Sequence, residues 1–369
     1  MPRPKIITVV GTRPELIKFS PVIPLLAEAF EHRLVHSGQH YSYAMDALFF
    51  EELRLPVPDY RLEVGSASHA VQTARILERI EPVLLDEAPS AVLALGDTNT
   101  VLAAMLAAVK LHIPAVHLEA GCRSFNRAMP EEINRVVADH VAAWCFAPGD
   151  RERAHLQAEG IAESRIRVVG STAIDACLRN APLAADRILV QQLGLEADAY
   201  VLLTLHRAEN TVPETLRGIL EAINALAETW PFVFPIHPRT RAVWEALMPP
   251  LALHPQIHVI DPVGYLDILH LAQHARAVMT DSGGLQEEAA TLGTPLLIAR
   301  QETEWAYLVD AGAAVVVGNT REALLATVPV LLQQGRAAFK PVDVTPQRGA
   351  AGRIVDALKW IDDGAIQVP

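Results

Sequence analysis

The most constraining feature of this sequence is a regular alternation of short apolar runs with amphipathic segments. Runs such as "KIITVV" (5–10) and "PAVHLE" (114–119) show no polar alternation, which is typical of parallel strands buried on both faces. Segments with helical periodicity, such as residues 69–88, separate most of these runs. Strand and helix in alternation predict a parallel, doubly wound α/β sheet.

The strand-like runs form two series. The first consists of "KIITVV" (5–10), "RLVHS" (33–37), "AVLALG" (91–96), "PAVHLE" (114–119), "WCFAP" (144–148) and "RIRVVG" (165–170). The second consists of "AYVLLTLH" (199–206), "FVFPIH" (232–237), "IHVID" (257–261), "AVMTD" (277–281), "PLLIA" (295–299) and "AAVVVG" (313–318). A chain of 369 residues is also too long for one ordinary core.

We therefore predict two Rossmann-like, doubly wound domains. The N-terminal domain is placed at 1–171 and the C-terminal domain at 172–352, with a last helix at 353–365 that can pack on either domain and is assigned to the first. Ligands of open α/β sheets bind outside the carboxyl ends of the strands. The functional site is thus expected in a central cleft that the two domains face.

Composition excludes several classes of function. The net charge of −12 argues against nucleic acid or an anionic membrane as a partner. No apolar run reaches the roughly 18 residues that span a bilayer, and the start "MPRPKIITVVGT" does not resemble a signal peptide. Cys122, Cys145 and Cys177 fit no metal spacing and cannot all pair. We expect a cytoplasmic protein with reduced thiols.

Charged residues follow the first and third strands of the first series. In "GTRPELIK" (11–18), Arg13 and Lys18 flank a predicted helix N-terminus, which is a suitable place for an anion. In "GDTNT" (96–100), Asp97 ends the strand and can equally cap the next helix. An ordinary strand–helix turn remains the alternative for both segments.

Two more candidates follow the fourth strand. Glu119 stands at its tip in "HLEAG", and "MPEEINR" (129–135) then opens a helix with Glu131 in its first turn. Arg135 lies four residues after Glu131, so the two can also form a plain surface pair.

The second half places histidines and a glycine-rich turn at strand ends. His206 and His237 each end a strand, although a lone histidine is more often structural. In "TDSGGLQEEAATLGTP" (280–295), a strand runs through Ser282, Gly283 and Gly284 into a helix, an arrangement typical of phosphate binding. Glu288, one turn further, can accept the hydroxyls of a ribose. No HExxH or CxxC motif appears, so a catalytic metal is not indicated.

Together these pieces resemble the non-hydrolysing UDP-N-acetylglucosamine 2-epimerase family. Eight motifs match in family order: "GTRPELIK", "SGQH", "GDTNT", "HLEAGCRS", "MPEEINR", "GSTAIDA", "HRAEN" and "TDSGGLQEEA". The resemblance implies a fold like that of GT-B glycosyltransferases, a homodimer, and a role in polysaccharide biosynthesis. It implies an isomerase that interconverts UDP-GlcNAc and UDP-ManNAc through a glycal intermediate and needs no redox cofactor.

The resemblance also implies roles for individual residues. The catalytic group implied by the family is Asp97, Glu119, Glu131 and His206. The residues implied to bind UDP or substrate are Arg13, Lys18, Arg135, His237, Ser282, Gly283, Gly284 and Glu288. Gln39, His40, Arg75, Arg207 and His237 match an allosteric UDP-GlcNAc site of bacterial members, whereas Tyr41 and Ser42 do not.

Some segments depart from the family pattern. Trp305 stands where many members have an arginine that touches the nucleotide, and a common Gly-Asp-Gly turn is replaced by "VTPQRGAAGRI" (344–354). The segment "RSFNRAMPEEINR", together with "ETEW", resembles the sequences of a branch of the family that includes UDP-2,3-diacetamido-glucuronate 2-epimerases. Arg123, Asn126 and Arg127 could then recognise a carboxylate or acetamido group, or merely order their loop.

Three rival functions remain open at this point. A hydrolysing 2-epimerase would release UDP and free ManNAc. A GT-B glycosyltransferase would pass the sugar to an acceptor. A UDP-sugar sensor would bind the nucleotide without chemistry.

Overall fold

The computed structural model describes residues 3–38, 49–303 and 305–359. It divides into two compact units, Met1–Ala176 with Thr345–Pro369 and Cys177–Val344. The first boundary thus falls at Ala176, where the sequence predicted 171. The C-terminal segment returns to the first unit, where helix Ala350–Lys359 packs against helix Val22–Ala29.

The first unit is built on a parallel sheet whose described part has seven strands. These are β1 Lys5–Val10, β2 Glu31–His36, β3 Tyr60–Arg61, β4 Ala91–Leu95, β5 Ala115–Leu118, β6 Trp144–Ala147 and β7 Ile166–Val168. Their order across the sheet is β3-β2-β1-β4-β5-β6-β7. The two-residue β3 was not predicted, because it contains no apolar run for the sequence to reveal.

Helices connect these strands and cover the sheet. Those of the first unit, with the last one from the chain end, are α1 Arg13–Phe19, α2 Val22–Ala29, α3 His69–Glu87, α4 Asn99–Lys110, α5 Pro130–Val141, α6 Asp150–Ala158 and Ala350–Lys359. Helix Thr172–Ala184 (α7) runs across the boundary between the units. The strands bury their apolar residues against these helices, and every residue of β4 is buried. This explains why the strands read as continuous apolar runs.

The second unit has a parallel sheet with six described strands. They are β8 Val201–Thr204, β9 Phe232–Pro235, β10 Ile257–Ile260, β11 Ala277–Thr280, β12 Leu296–Ile298 and β13 Ala314–Val316, in the order β10-β9-β8-β11-β12-β13. Its helices are α8 Leu189–Gln192, α9 Pro213–Leu226, α10 Pro238–Glu245, α11 Tyr265–His274, α12 Gly283–Thr291, α13 Ala306–Asp310 and α14 Arg321–Gln334. A separate core of its own fills this unit.

Strand order locates the functional edge of each sheet. The chain order reverses between β1 and β4 in the first unit, and between β8 and β11 in the second. In open α/β sheets the ligand site lies outside the carboxyl ends of the strands at this switch point. The segments that follow β1, β4, β8 and β11 are therefore expected to carry ligand-binding residues. Among the described residues, no helix combines the length and the apolar character needed to cross a membrane.

Candidate active site

Asp97 follows strand β4 at the switch point of the first sheet. Gly96 turns the chain there with a φ of +91°, a left-handed conformation that favours glycine. The Asp97 carboxylate pairs with Arg135 of helix α5. The Asn134 side-chain amide donates to the Asp97 backbone carbonyl at 2.9 Å. The carboxylate is thus held in place by a neighbouring helix.

Glu119 follows the adjacent strand β5 and has a φ of +62°. This conformation is uncommon for a residue with a side chain, and such strain concentrates at functional sites. The Lys18 ammonium contacts both carboxylate oxygens of Glu119, at 2.7 and 2.8 Å. Lys18 therefore pairs with a carboxylate of the protein in this structure, whereas the sequence suggested a bound anionic ligand as its partner.

Glu131 lies in the first turn of α5 and is partly exposed. Unlike Asp97 and Glu119, it makes no hydrogen bond or ion pair within the described part of the chain. Arg135, for which a surface pair with Glu131 was the alternative, pairs with Asp97. Of the three candidate carboxylates, Glu131 is thus the one without a hydrogen-bond or ion-pair partner among the described residues.

Glu132, which the sequence analysis did not single out, anchors the loop before α5. It accepts hydrogen bonds from the Ser124 backbone and hydroxyl at 2.9 Å each, and from the Phe125 backbone at 3.1 Å. Burial opposes its ionisation, but these donors and the charge of Arg135 outweigh burial and lower the pKa of Glu132. Glu132 therefore joins the loop to the Asp97–Arg135 pair.

Arg123 lies in this loop with only 1% of its side chain exposed. Its guanidinium pairs with Asp139 at 2.6 Å and with Glu159 at 2.7 Å. The guanidinium is thus committed to these two carboxylates and orders the loop. Asn126 accepts from the Ala128 backbone at 3.1 Å. Arg127 is exposed and makes no hydrogen bond or ion pair within the described residues.

Asp139 is the centre of a buried polar network behind the strand ends. Its carboxylate also accepts from the Gly121 backbone at 3.0 Å and lies 2.6 Å from Nδ1 of His117. Nε2 of His117 lies 2.7 Å from the carbonyl of Gly96. A carbonyl oxygen only accepts, so both ring nitrogens carry hydrogen when Asp139 is ionised. Burial opposes this charge, but Asp139 outweighs burial and raises the pKa of His117.

The turn after β1 is closed by the helix that follows it. Glu15 of α1 accepts from the backbone N–H groups of Gly11 at 2.6 Å and Thr12 at 2.9 Å. The N–H groups expected to hold an anion are therefore occupied by a carboxyl group of the protein. Arg13 is partly exposed, with its guanidinium 4.9 Å from the Phe49 ring centroid.

His206 is the corresponding residue at the end of β8 in the second unit. Its Nδ1 lies 3.0 Å from a carboxylate oxygen of Asp281, which is fully buried at the end of β11. Asp281 also accepts from the backbone of His206 and Arg207 and from the Asn210 amide, at 3.0 to 3.1 Å. Burial opposes ionisation of Asp281, but these donors outweigh it and lower its pKa. Asp281 therefore fixes the orientation of the His206 ring.

Cationic and imidazole side chains surround His206. The ring of His237 lies 5.7 Å away, centroid to centroid. Burial, with help from the charges of His206 and Arg239, lowers the pKa of His237. Arg239, which the sequence analysis missed, is exposed and donates to the His206 carbonyl at 3.2 Å. Only its place two residues after the "FPIH" strand end could have marked it.

The glycine-rich turn lies beside this cluster. Helix α12 begins at Gly283 after Ser282, and a side chain added at Gly284 would meet no atom within 4 Å. Trp305 donates from its indole Nε1 to the Gly283 carbonyl at 2.9 Å. A Cβ added at Gly283 would lie 3.6 Å from a guanidinium nitrogen of Arg207. The turn thus presents open backbone, bordered by an arginine and an indole.

The structure brings the predicted residues together in two groups, one in each unit. The first group consists of the ion pairs Asp97–Arg135 and Glu119–Lys18, with Glu131 on the helix of Arg135 and Arg13 on the helix of Lys18. The second contains His206, Arg207, His237, Ser282, Gly283 and Gly284, with Glu288 on the same helix. Arg75 is exposed on α3. Gln39, His40, Tyr41 and Ser42 lie outside the described residues.

Each group can perform a definite part of a reaction. Clustered carboxylates move protons or stabilise a cationic centre. Open backbone at the start of a nine-residue helix, next to arginine and histidine, suits phosphate oxygens.

Comparisons with known proteins identify the family to which this chain is similar. A family model described as UDP-N-acetylglucosamine 2-epimerase matches residues 26–359. The UDP-N-acetylglucosamine 2-epimerase of Methanocaldococcus jannaschii is 44% identical over 342 residues, which are 90% of this chain and 93% of that protein. A crystal structure of the enzyme from that organism in complex with UDP-GlcNAc and UDP has a TM-score of 0.86 and 43% identity, and covers 96% of this chain and 99% of its own.

A second relative has a different named substrate. The UDP-2,3-diacetamido-2,3-dideoxy-D-glucuronate 2-epimerase of Pseudomonas aeruginosa is 44% identical over 326 residues, which are 87% of this chain and 90% of that protein. Overall identity therefore does not separate the two substrate classes.

Proposed function

The chain belongs to the UDP-N-acetylglucosamine 2-epimerase family, and from this membership we infer that it is an isomerase, a non-hydrolysing UDP-sugar 2-epimerase. The observation that carries this function is the pair of carboxylates at the ends of neighbouring strands, Asp97 after β4 and Glu119 after β5, each beside a cation. We propose UDP-GlcNAc and UDP-ManNAc as the pair of epimers that it interconverts.

The chemistry of C2 explains the need for these groups. The C2 proton is not acidic, because no carbonyl is adjacent to C2. When the bond between C1 and the UDP oxygen breaks, its electron pair leaves with UDP and C1 becomes cationic. A base then removes the C2 proton, and the C1=C2 double bond of a glycal forms. Return of a proton to the opposite face and of UDP to C1 gives the epimer.

We assign the sugar chemistry to the first group of residues. Asp97 or Glu119 takes the C2 proton and stabilises positive charge near C1, with Arg135 and Lys18 keeping the carboxylates oriented. Glu131, whose oxygens have no partner among the described residues, is proposed to serve the opposite face of the sugar. Arg13 and Arg135 are proposed contacts of the nucleotide.

We assign the departing diphosphate to the second group. The backbone of Gly283 and Gly284 at the start of α12, with Ser282, is proposed to bind phosphate oxygens. His206, held by the buried Asp281, is proposed to stabilise the leaving phosphate. His237 and Arg239 add donors beside it, and Glu288 is proposed to bind the ribose.

A UDP-2,3-diacetamido-glucuronate is the second candidate substrate. The Pseudomonas aeruginosa relative supports it, and so does the exposed Arg127, whose guanidinium has no partner within the described residues. Arg123 does not support it, since its guanidinium is taken by Asp139 and Glu159.

A single NMR experiment in deuterium oxide tests these assignments. UDP-GlcNAc and UDP-2,3-diacetamido-glucuronate are each incubated with the enzyme. Deuterium at C2 with formation of the epimer in one sample and not the other identifies the substrate. Release of free ManNAc with UDP would indicate a hydrolysing enzyme. Absence of exchange in both samples would contradict the epimerase assignment.

The assembly and cellular role are proposals of the same kind. We propose a homodimer in the cytoplasm that supplies an activated sugar for polysaccharide biosynthesis. Buried free thiols at Cys145 and Cys177 suit a reducing compartment. Light scattering on the purified chain tests the dimer, and a monomeric mass at assay concentration would contradict it.

A further inference from the structure

The carboxyl group of Glu15 is buried between two of the turns that form the first group. Only 3% of Glu15 is exposed. Its Oε2 accepts from the backbone of Gly11 and Thr12, and its Oε1 lies 2.6 Å from the hydroxyl of Thr98. No lysine or arginine contacts it in the described structure. A buried carboxyl without a cation is costly, so its placement requires an explanation beyond helix capping.

These contacts join the two strand ends at the switch point. Gly11 and Thr12 lead directly into Arg13, and Thr98 directly follows Asp97. Strands β1 and β4 are neighbours in the sheet, paired from Ile6 with Ala91 onward. One carboxyl group therefore spans the gap between the turn before Arg13 and the turn after Asp97.

We propose that Glu15 is a positioning residue for the epimerisation, holding the turn that carries Arg13 in register with the turn that carries Asp97. Its oxygens are already engaged by the two turns, so it acts on the sugar only through Asp97 and Arg13. This inference rests on the proposed function.

The protonation state of Glu15 is compatible with this role. Burial raises the pKa of Glu15 to about 7, and the nearby Asp97 charge adds to the rise, although the three donors oppose it. In the neutral acid, Oε2 accepts from both N–H groups and the acid hydrogen on Oε1 is donated to Thr98. In the anion, the Thr98 hydroxyl donates instead. The two turns remain joined in both states.

Glutamine can reproduce the neutral acid. Its carbonyl oxygen accepts from Gly11 and Thr12, and its amide donates to the Thr98 hydroxyl, whereas alanine removes all three contacts. The charged groups nearest to this position are Arg13 and Lys18 on the same helix, Asp97 on the next strand end, and their partners Glu119 and Arg135. All of them remain unchanged in both variants.

The experiment compares variants at both ends of the contact. Turnover and C2 deuteration are measured for Glu15→Gln, Glu15→Ala, Thr98→Val, Thr98→Ser and the double variant Glu15→Ala/Thr98→Val, at a temperature well below each melting point. Glu28→Ala, on the exposed face of α2, is the matched control. The folded fraction is determined for each variant, so that kcat refers to folded enzyme.

We expect Glu15→Ala and Thr98→Val each to lower kcat at least about tenfold, because small displacements of reacting groups have large effects on rate. Glu15→Gln and Thr98→Ser are expected to stay within about threefold of the unmodified enzyme. The double variant is expected to lose less than the product of the two single losses, since Glu15→Ala and Thr98→Val both remove the contact between Glu15 and Thr98.

Other outcomes would overturn the proposal. If folded Glu15→Ala has a normal kcat and only a lower melting point, Glu15 only caps helix α1 and does not position catalytic groups. A loss in Glu15→Gln as large as in Glu15→Ala would refute positioning through these hydrogen bonds. If the unmodified enzyme exchanges no C2 proton, the proposed function fails and this inference falls with it. If it is active and the variants are unaffected, only this inference fails.

Discussion

At the scale of single residues, the proposed chemistry depends on the arrangement of Asp97 and Glu119. Both stand where a buried strand ends, and both are held by a cation from a helix. A carboxylate held by one partner keeps its orientation, while its remaining lone pairs stay available. This combination suits a group that must meet a sugar carbon at a fixed distance.

Removal of either charge is therefore expected to be severe. We predict that Glu119→Gln and Asp97→Asn each lower turnover at least about 10²-fold, the scale of general acid–base catalysis. C2 deuteration in deuterium oxide, followed by NMR, provides the measurement. Asp150→Asn, at the exposed start of α6, is the control. Near-normal rates in both variants would refute the assigned roles.

Arg239 provides a second prediction at this scale. Its guanidinium is exposed and lies beside His206. Among the described residues, only its Nη1 nitrogen has a hydrogen-bond partner. If it meets the diphosphate, Arg239→Ala should raise KM about tenfold, the effect of losing one hydrogen bond to a charged group, with little change in kcat. Arg241→Ala on the same helix is the matched control, because Arg241 pairs with Asp261. Equal KM values in the two variants would exclude this role.

At the scale of elements, the loop between β5 and α5 depends on one carboxylate. Glu132 accepts from Ser124 and Phe125 and contacts Arg135, and it needs both oxygens to do so. The amide of Glu132→Gln offers a single acceptor oxygen. At least one backbone donor of the loop must then lose its partner.

We predict that Glu132→Gln loosens this loop. Hydrogen exchange at the amides of Ser124 and Phe125 should become at least about tenfold faster, corresponding to one lost hydrogen bond to a charged group. Amides of helix α6 serve as the internal control. Unchanged exchange at both loop amides would show that Glu132 does not anchor the loop.

The elements also show how far the sequence predicts this structure. "KIITVV" coincides with β1 (Lys5–Val10), and "AVLALG" with β4 except for its last residue. Continuous apolar runs reveal such strands because both faces are buried. Strand-end residues such as Asp97 and Glu119 could also be predicted to lie near each other, because neighbouring parallel strands have their carboxyl ends at the same edge of the sheet.

The partners of these residues could not be predicted in the same way. Lys18 and Glu119 are 101 positions apart, and their contact depends on how α1 sits over the sheet. The buried His117–Asp139 pair likewise depends on the packing of α5 against β5. The role of His117 in "HLEAG" could not be predicted from its sequence neighbours. Its partner Asp139 is 22 positions away, and their contact exists only in the folded chain.

At the scale of the whole molecule, buried titratable groups give stability a dependence on pH. His32 and Glu15 contribute with opposite signs. Burial lowers the pKa of His32 to about 4, so its contribution to stability is lost as pH falls from 6.5 through 4. The raised pKa of Glu15 has the opposite effect. Its contribution to stability is complete below pH 4.5 and is lost as pH rises through about 7.

The last prediction isolates the contribution of Glu15. Glutamine imitates the neutral acid and does not titrate, so Glu15→Gln should match the unmodified protein near pH 4.5 and become progressively more stable than it up to about pH 7. A pKa difference of about 2.5 sets an upper limit of about 3 kcal/mol on this gain. The melting temperature of both proteins, measured from pH 4.5 to pH 8, tests it.

The difference between the two melting curves is the decisive quantity, because His32 and the other titrating groups that do not interact with Glu15 contribute equally to both proteins. It should rise between pH 4.5 and 7 and stay constant above, where Glu15 is ionised in the unmodified protein. Glu28→Gln, an exposed glutamate on α2, should show no such rise. A constant difference across the range would mean that Glu15 ionises without cost, and that its three donors suffice to replace water around the buried charge.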